Sequence, residues 1–252
     1  MLRFEDIVFG PIRSRRLGTS LGVNILPSKG KLCNFDCVYC ECGWNKDGTG
    51  DRIMPGYDDV AMALDKKLQD LSGQGIRVDS ITFSGNGEPT MNPDFPKIVD
   101  RTIELRDKYY PDAVVSVLSN ATLIGKESVF EALRKVDNPI LKLDAATDEL
   151  VQKINIPAPG YSVERVVEGL KKFSGDFVLQ TMFLRSDDFD TAASDALKVW
   201  MNVVREVRPR EIMVYTIDRE TPDKNLSKYT ADEMKSMVQP LIDEGFNIQI
   251  RG

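Results

Sequence analysis

The chain alternates between short, continuously apolar segments and longer segments in which apolar residues recur every three or four positions. The short segments are rich in β-branched residues and predict buried strands. These strands are expected at residues 21–26, 81–84, 114–119, 140–144, 177–183, 211–217 and 246–250. The longer segments predict amphipathic helices between the strands. Strands joined by single helices run parallel, so the pattern predicts an α/β fold with a parallel sheet.

Helical spacing is clearest in three stripes of apolar residues, within residues 60–71, 163–173 and 193–207. Thr230 and Glu233 fit a capping box at the start of a further helix. Six or seven such units predict a partial to nearly complete parallel (β/α) barrel of the TIM-barrel type, with a doubly wound open sheet as the alternative. In either fold, functional residues belong on loops at the carboxyl ends of the strands.

The length and charge of the chain narrow the class of protein. We expect all 252 residues to form a single domain, with residues 1–20 as an N-terminal lead-in segment. A formal net charge of −6 argues against binding to nucleic acid or to an anionic membrane through the overall field. No apolar run approaches the roughly 20 residues of a membrane helix. The opening residues are acidic rather than apolar, so we expect a cytoplasmic protein.

The chain contains four cysteines and no histidine. The absence of imidazole excludes Ser-His and Cys-His nucleophile pairs, His-ligated zinc hydrolases and His-ligated haem. All four cysteines lie within residues 33–42, whereas a secreted disulfide scaffold spreads its cysteines along the chain. A tight cluster of cysteines in a cytosolic protein indicates metal or redox chemistry.

Cys33, Cys37 and Cys40 have the spacing C-x3-C-x2-C on the loop after the first predicted strand. Three thiolates on one short loop can hold three corners of an iron-sulfur cubane and leave the fourth iron open to a ligand. A structural zinc site would need Cys42 as the fourth ligand and would crowd all its ligands into one short segment. Cysteines that are merely buried are the other alternative.

With Tyr39 just before the third cysteine, the motif resembles the C-x3-C-x-(aromatic)-C signature of the radical S-adenosylmethionine (SAM) superfamily. The resemblance implies a [4Fe-4S] cluster on Cys33, Cys37 and Cys40, with SAM bound to the open iron. It implies reductive cleavage of SAM to a 5′-deoxyadenosyl radical that abstracts hydrogen from a substrate, which the sequence does not identify. The protein itself would bind and orient SAM and the substrate, and it would exclude water from the reaction. It also implies that the backbone of Tyr39 touches the adenine.

Residues 84–90, after the second predicted strand, look like the Gly-Gly-Glu motif of the same superfamily. Gly87 and Glu88 match this motif, while Asn86 stands where the shorter motif has its first glycine. The resemblance places Gly87 and Glu88 at the amino group of SAM, because glycine lets the backbone approach a ligand closely. A simple turn is the alternative for a glycine-rich strand exit.

Further polar residues occur at later strand exits. Ser119 and Asn120 resemble the Thr-Asn-Gly that follows the third strand in many members, with Ala121 in place of the glycine. They would reach the carboxylate or ribose of SAM, although local turn chemistry is an equal alternative. Gln180 and Thr216 are further candidates for the cofactor site. Polar residues at successive strand exits are what a site in a barrel mouth requires.

The fourth predicted strand places two ionisable residues on one face. Ile140, Lys142 and Asp144 alternate with apolar residues, so they point to the same side of the sheet. A lysine and a carboxylate in an otherwise apolar strand indicate a polar lumen or a buried ion pair. We interpret Asp144 as a candidate for the ribose of SAM and Lys142 as a candidate for a carboxylate or substrate anion, with a purely structural pair as the alternative.

Residues 10–23 resemble the lead-in of a radical SAM branch of iron-sulfur oxidoreductases that is related to the wyosine-forming tRNA enzymes, and residues 215–219 extend the resemblance. This branch suggests tRNA modification, and the compact size also fits glycyl-radical activation. A low-potential electron donor such as flavodoxin or ferredoxin is the implied partner. A non-catalytic iron-sulfur or zinc protein is the alternative from another class. Cys42 is a bystander near the cluster or, alternatively, a hydrogen-atom donor.

Basic residues bear on the tRNA hypothesis. Arg13, Arg15 and Arg16 could bind a phosphate, a carboxylate or SAM itself, or could form a solvated basic turn. Because the overall charge is acidic, binding of tRNA would require these arginines to form a local phosphate track with Lys29 and Lys31.

Overall fold

The computed structural model describes residues 4–14, 17–48 and 52–252. The strands are β1 (Val8–Ser14), β2 (Gly18–Val23), β3 (Ser80–Phe83), β4 (Val114–Ser119), β5 (Asn138–Lys142), β6 (Val178–Met182), β7 (Leu184–Arg185), β8 (Glu211–Tyr215), β9 (Ser227–Lys228) and β10 (Ile248–Arg251). The helices are α1 (Tyr57–Gly73), α2 (Phe95–Tyr109), α3 (Glu127–Lys135), α4 (Asp148–Ile154), α5 (Val163–Lys171), α6 (Ser194–Val207) and α7 (Ala231–Asp243).

The strands of the main sheet lie side by side in nearly the order of the sequence, β1-β2-β3-β4-β5-β6-β8-β10. Every neighbouring pair from β2 to β10 is parallel, and β1 pairs with β2 in the antiparallel direction. A doubly wound sheet reverses its strand order at a switch point, which this sheet does not do. The predicted partial (β/α) barrel is therefore confirmed.

Each predicted strand is present, with differences at the edges. The segment expected only as a lead-in contributes β1, in which Phe9 pairs with Gly22 of β2. A Cβ atom on Gly22 would lie 2.1 Å from the Phe9 ring, so only glycine admits this ring over the strand. Two helices, α4 and α5, replace the single crossover expected between β5 and β6. The strands β7 and β9 form a small separate sheet.

The helical stripes face the outer side of the sheet as predicted. In α1 the buried residues are Val60, Leu64, Leu68 and Leu71. The capping box of α7 is also confirmed, since Thr230 accepts a hydrogen bond from the backbone N–H of Glu233 and the Glu233 side chain caps the Thr230 backbone in return. No helix among the described residues combines the length and the apolar character that crossing a membrane would need.

The inner face of the sheet differs from the outer face in chemistry. Ile81, Val115 and other outward residues belong to the large apolar core beneath the helices. On the inner side, the hydroxyl of Thr82 contacts those of Ser20 at 2.8 Å and Ser80 at 2.9 Å. The Ser80 hydroxyl in turn lies 3.1 Å from that of Ser116. The barrel therefore has a lumen that is partly polar, which is one of the two alternatives that Lys142 and Asp144 indicated.

Candidate functional site

The cysteine loop, residues 32–42, follows β2 and is attached to the exit of β3. Leu32 forms a parallel bridge with Gly87, its N–H donates to the carbonyl of Asn86 at 2.8 Å, and its carbonyl accepts from the N–H of Glu88 at 3.1 Å. Gly87 has φ +139, and a Cβ atom there would lie 1.9 Å from the Leu32 carbonyl oxygen. Glycine is required at this position because two backbones meet without space for a side chain.

A buried lysine holds the same loop from within. The Lys31 ammonium donates to Asp36 at 2.9 Å and to the carbonyl of Gly43 at 3.1 Å. Burial lowers the pKa of Lys31, but the Cys40 thiol and the Asp36 carboxylate outweigh burial and raise it overall. Lys31 is therefore committed to the loop, and its inclusion in a phosphate track on the surface was wrong.

One cavity of about 480 Å³ opens at the carboxyl ends of the parallel strands. Most of the residues predicted for the site line it, namely Cys33, Cys37, Tyr39, Cys40, Gly87, Glu88, Ser119, Asn120, Lys142, Gln180 and Thr216. Residues from six strands of the main sheet and the loops that follow them are thus brought to one place, as a barrel mouth requires. Asp144 is the exception among the predicted residues, since it does not line the cavity.

Two of the three thiols of the motif receive hydrogen-bond donors from the surrounding chain. The Phe35 N–H and the Asn120 side-chain amide lie 3.4 Å and 3.6 Å from the Cys33 sulfur. The Asn155 side-chain amide lies 3.3 Å from the Cys37 sulfur. Such donors stabilise thiolate ligands of iron-sulfur clusters. The donor set fits a cluster that is bound by one thiolate at each of three irons.

A single metal ion fits this arrangement less well. Among the residues that the structure describes, no three His, Cys, Asp or Glu side chains are gathered as ligands of one ion. A structural zinc site needs four ligands at about 2.0–2.3 Å from the same metal. The three thiols line the cavity together with residues of the other strand exits. This arrangement favours a cluster over the zinc alternative.

The local electrostatics differ among the cysteines. Burial raises the pKa of Cys33 to about 12 and also raises the pKa of Cys37. Hydrogen bonding with Cys42, supported by the charge of Lys31, lowers the pKa of Cys40 to about 5. Cys42 also lies 3.4 Å from the carbonyl oxygen of Gly85.

Glu88 lies within the wall of the cavity and is almost completely buried. Its carboxylate accepts hydrogen bonds from the Thr90 N–H at 3.1 Å and the Thr90 hydroxyl at 2.6 Å. It also accepts from the Ser119 hydroxyl at 2.9 Å and the Asn120 N–H at 2.6 Å. Burial nevertheless raises the pKa of Glu88 above its usual range. Glu88 joins the exits of β3 and β4 and so shapes the wall of the cavity.

Asp144 lies behind the cavity wall and serves a structural network. Its carboxylate accepts hydrogen bonds from the Tyr39 hydroxyl, from the Asn155 amide at 2.7 Å and from the Met182 N–H at 2.9 Å. The structure gives no support to the predicted contact of Asp144 with a ribose, because Asp144 does not line the cavity and its hydrogen bonds are made within the protein. The alternation along the strand identified its side of the sheet but not its partners.

Thr216 lines the cavity, but its hydroxyl is also committed. It donates to the Phe183 carbonyl at 2.9 Å and accepts from the Tyr229 N–H at 3.2 Å. Asn86 has a similar role at the exit of β3, where its amide donates to the carbonyls of Phe4 at 2.8 Å and Pro27 at 2.9 Å. Asn86 therefore anchors the N-terminal segment beneath the site.

Lys142 and Gln180 present their polar groups to the cavity. Within the described part of the chain, neither side chain makes a hydrogen bond or an ion pair, and the Lys142 ammonium lies 5.1 Å from the centre of the Tyr39 ring. Burial opposes the charge of Lys142, yet the Cys37 thiol and neighbouring groups raise its pKa well above the usual value. A charged ammonium without a carboxylate partner is suited to bind an anionic group of a ligand.

The sequence did not point to one residue that contacts the cysteine loop, and the basic residues that it did single out are not all at the cavity. Asn155, directly after α4, carries no motif that would have marked it. Arg13 lines the outer part of the cavity and is exposed, while Arg15 and Arg16 lie outside the described residues. Arg219, at the exit of β8, pairs with Glu41 of the cysteine loop at 2.6 Å.

Comparison with known families agrees with this site. The model of the radical SAM superfamily matches residues 28–178, which include the cysteine loop and the exits of β3, β4 and β5. The chain therefore belongs to the radical SAM superfamily, whose members are enzymes that use SAM and a [4Fe-4S] cluster. The predicted superfamily and its cofactors are confirmed at this level.

Curated relatives cover most of the chain. A UPF0026 protein of Synechocystis sp. is 31% identical over 85% of this chain and 77% of its own length. The UPF0026 protein MJ1312 of Methanocaldococcus jannaschii is 28% identical over 86% of this chain. This chain spans 65% of the length of the Methanocaldococcus protein. These names give no reaction, so the activity of this chain is a matter of proposal.

Solved structures share the fold at low sequence identity. SuiB of Streptococcus suis bound to S-adenosylmethionine matches 89% of this chain and 49% of its own chain, with a TM-score of 0.65 and 17% identity. TYW1 with a lysine-pyruvate adduct bound matches 91% of this chain and 75% of its own chain, with a TM-score of 0.63 and 14% identity. At this level of identity the likeness concerns the barrel fold.

Proposed function

We propose that this protein cleaves SAM reductively to a 5′-deoxyadenosyl radical that abstracts hydrogen from a substrate. Cys33, Cys37 and Cys40 would hold the [4Fe-4S] cluster, which supplies the electron for cleavage when it is bound. The observation that carries the proposal is the meeting of these thiols with the strand exits in one cavity of about 480 Å³. A protein that used its thiols only to stabilise a loop would not need such a cavity.

The chain's own residues bind and orient SAM in this proposal. Gly87 lines the cavity, where its peptide groups would meet the amino group of SAM. Ser119 and Asn120 form the next part of the wall and are held in place by Glu88. The backbone of Tyr39, a buried residue of the cysteine loop, would touch the adenine. Lumen side chains such as Thr82 also line the cavity and would help to exclude water from the reaction.

Another part of the cavity lining is formed by Lys142, the last residue of β5, and Gln180, in the middle of β6. They offer a charge and an amide that no side chain of the described residues satisfies. We assign them to the carboxylate of SAM or to an anionic group of the substrate. The reductant would be a low-potential donor such as flavodoxin or ferredoxin, in the cytoplasm.

The structure supports the alternative functions, which are tRNA modification, glycyl-radical activation and a non-catalytic metal protein, to different degrees. Modification of tRNA required a phosphate track that includes Lys31, and this lysine is buried in an ion pair. Glycyl-radical activation requires only the shared chemistry and a surface for a protein partner. A zinc site is disfavoured because no three potential ligands of one ion are gathered among the described residues. A protein that only carries electrons would not need the cavity beside the thiols.

Anaerobic reconstitution with iron and sulfide tests the proposal. The wild-type protein should gain a brown chromophore that dithionite bleaches, and reduction with SAM should release 5′-deoxyadenosine. Replacement of Cys33, Cys37 or Cys40 by Ala should abolish both, whereas Cys42→Ala should retain the chromophore. A colourless protein that binds one zinc ion would contradict the proposal.

A further inference from the structure

Asn155 is the buried residue that most directly links the barrel to the cysteine loop. It is 1% exposed and follows α4 directly. Its backbone carbonyl accepts a hydrogen bond from the Asp36 N–H at 2.8 Å, and the preceding carbonyl, of Ile154, accepts from the Val38 N–H at 2.9 Å. The segment that carries Asn155 is thus paired with the loop on both sides of Cys37.

The side chain of Asn155 has three neighbours. Its Nδ2 atom lies 2.7 Å from Asp144 Oδ2, 3.3 Å from Cys37 Sγ and 3.5 Å from the Tyr39 hydroxyl oxygen. An ionised carboxylate accepts hydrogen bonds only, so Asp144 fixes which end of the amide carries the hydrogens. With one hydrogen directed to Asp144, the other is available to the Cys37 sulfur.

Asp144 is itself held firmly. The Tyr39 hydroxyl donates to the same oxygen that Asn155 contacts, and the Met182 N–H donates to the other oxygen at 2.9 Å. The carboxylate is 2% exposed. The chain of contacts therefore runs from the backbone of β6, through Asp144 and Asn155, to the sulfur of Cys37.

We propose that Asp144 orients the Asn155 amide toward the Cys37 sulfur and that this hydrogen bond raises the reduction potential of the bound cluster. Reduction adds negative charge that is shared with the thiolate ligands, and an N–H donor at a ligand sulfur stabilises that charge. The low-dielectric surroundings make the dipole more effective than it would be in water. Asn155 is a positioning residue, because it acts through Cys37 and not on SAM or substrate.

This inference rests on the proposed cluster, and it is testable apart from turnover. The reconstituted wild-type protein and the Asn155→Leu variant are titrated without SAM, and the reduced cluster is followed by its electron paramagnetic resonance signal. The midpoint potential of Asn155→Leu should be more negative than that of the wild type. If Asn155→Leu does not fold, Asn155→Ser, whose short side chain cannot span from Asp144 to Cys37, decides the question in the same titration.

A matched control separates this effect from a general loss of packing. Asn92 is also a buried amide, 2% exposed, and it donates to the carbonyls of Ile25 at 2.8 Å and Pro55 at 3.0 Å. Asn92→Leu should keep the wild-type potential. A wild-type potential in a fully loaded Asn155 variant would overturn the inference, as would an equal shift in Asn92→Leu. Failure of the wild type itself to take up a cluster would instead refute the proposed function.

The orienting role of Asp144 has its own test, a double-mutant cycle. Asp144→Asn removes a buried negative charge, which favours reduction, and also loosens Asn155, which disfavours it. In the Asn155→Leu background only the effect of charge remains. Asp144→Asn should therefore shift the potential further in the positive direction in that background than in the wild type. Equal shifts in both backgrounds would show that Asp144 does not orient Asn155.

Discussion

The exits of β3 and β4 and the exits of β5 and β6 line the same cavity, but they are built differently. At β3 and β4 the polar groups are satisfied by the protein, as in Glu88, which accepts four hydrogen bonds from neighbouring residues. At β5 and β6, Lys142 and Gln180 face the cavity without a hydrogen bond or ion pair from the described residues.

This difference distinguishes two roles that a polar residue in the cavity wall can have, a structural one and a ligand-binding one. A group whose hydrogen bonds are complete holds the wall in shape, and its removal costs stability. A group that is buried without partners costs free energy in the absence of a ligand and is suited to bind one. The β3 and β4 exits thus form the rigid side of the site, and the β5 and β6 exits form the side that is left for a ligand. Four substitutions test this comparison through their effects on stability.

The largest loss of stability is expected from Gly87→Ala. The new Cβ would overlap the Leu32 carbonyl, and the residue would keep a positive φ. Overpacking and a strained backbone each cost about 1–3 kcal/mol, so the free energy of unfolding should fall by about 4 kcal/mol. Urea denaturation of the iron-free protein measures it. Gly125→Ala, at a glycine with no atom within 4 Å of the added Cβ, should change it by less than about 0.5 kcal/mol. Similar values for the two variants would contradict the close approach.

Glu88→Ala should have the next largest effect. It leaves the Thr90 and Asn120 backbone N–H groups and two hydroxyls without their buried acceptor. Unsatisfied buried donors cost about 1–3 kcal/mol each, part of which water can recover, so we expect a loss of about 3 kcal/mol in urea denaturation. Glu41→Ala, which breaks a surface ion pair with Arg219, should cost at most about 1 kcal/mol. A Glu88 variant as stable as the wild type would show that the hydrogen bonds of Glu88 do not stabilise the wall at the β3 and β4 exits.

Thr82→Val tests the polar lumen below the rigid side. The hydroxyl of Thr82 lies within hydrogen-bond distance of Ser20 and Ser80, and the three are buried together. Valine keeps the shape but removes the shared hydroxyl, and we expect a loss of about 1–2 kcal/mol in thermal or urea unfolding. Thr82→Ser keeps the hydroxyl and removes only a methyl group. If serine is the more damaging of the two, packing rather than hydrogen bonding stabilises the lumen.

Lys142→Met should have the smallest effect on stability and a large effect on function. Replacing a buried charge by an apolar side chain of similar volume is often neutral, so the free energy of unfolding should change by less than about 1 kcal/mol. Release of 5′-deoxyadenosine at limiting SAM or substrate should nevertheless fall at least tenfold. Lys135→Met, at a surface ion pair with Asp100, serves as the control that keeps activity. Full activity of Lys142→Met would show that Lys142 does not bind SAM or the substrate.

The sequence predicted the barrel and the location of the site because both follow from local patterns of apolar and polar residues along the chain. Strand and helix periods differ, and parallel strands must end at the same edge of the sheet. The spacing of Cys33, Cys37 and Cys40 after a strand also led us to predict them as the cluster ligands, and the structure places all three at the cavity. The pairing of β1 with β2 was not predicted. The need for glycine at position 22 arises from the Phe9 ring on the neighbouring strand, and no pattern along the chain shows that contact.

What each buried polar residue does was decided by the tertiary structure. Period-two alternation placed Lys142 and Asp144 on one face, yet Asp144 is satisfied by Tyr39, Asn155 and Met182, while Lys142 faces the cavity. The partners of Asp144 lie on the cysteine loop, after α4 and on β6, and no pattern along the chain connects them. The sequence by itself determined which groups reach the mouth of the barrel. Only the fold decided which of them are already hydrogen-bonded, because satisfaction of a buried group depends on residues that are distant in the chain.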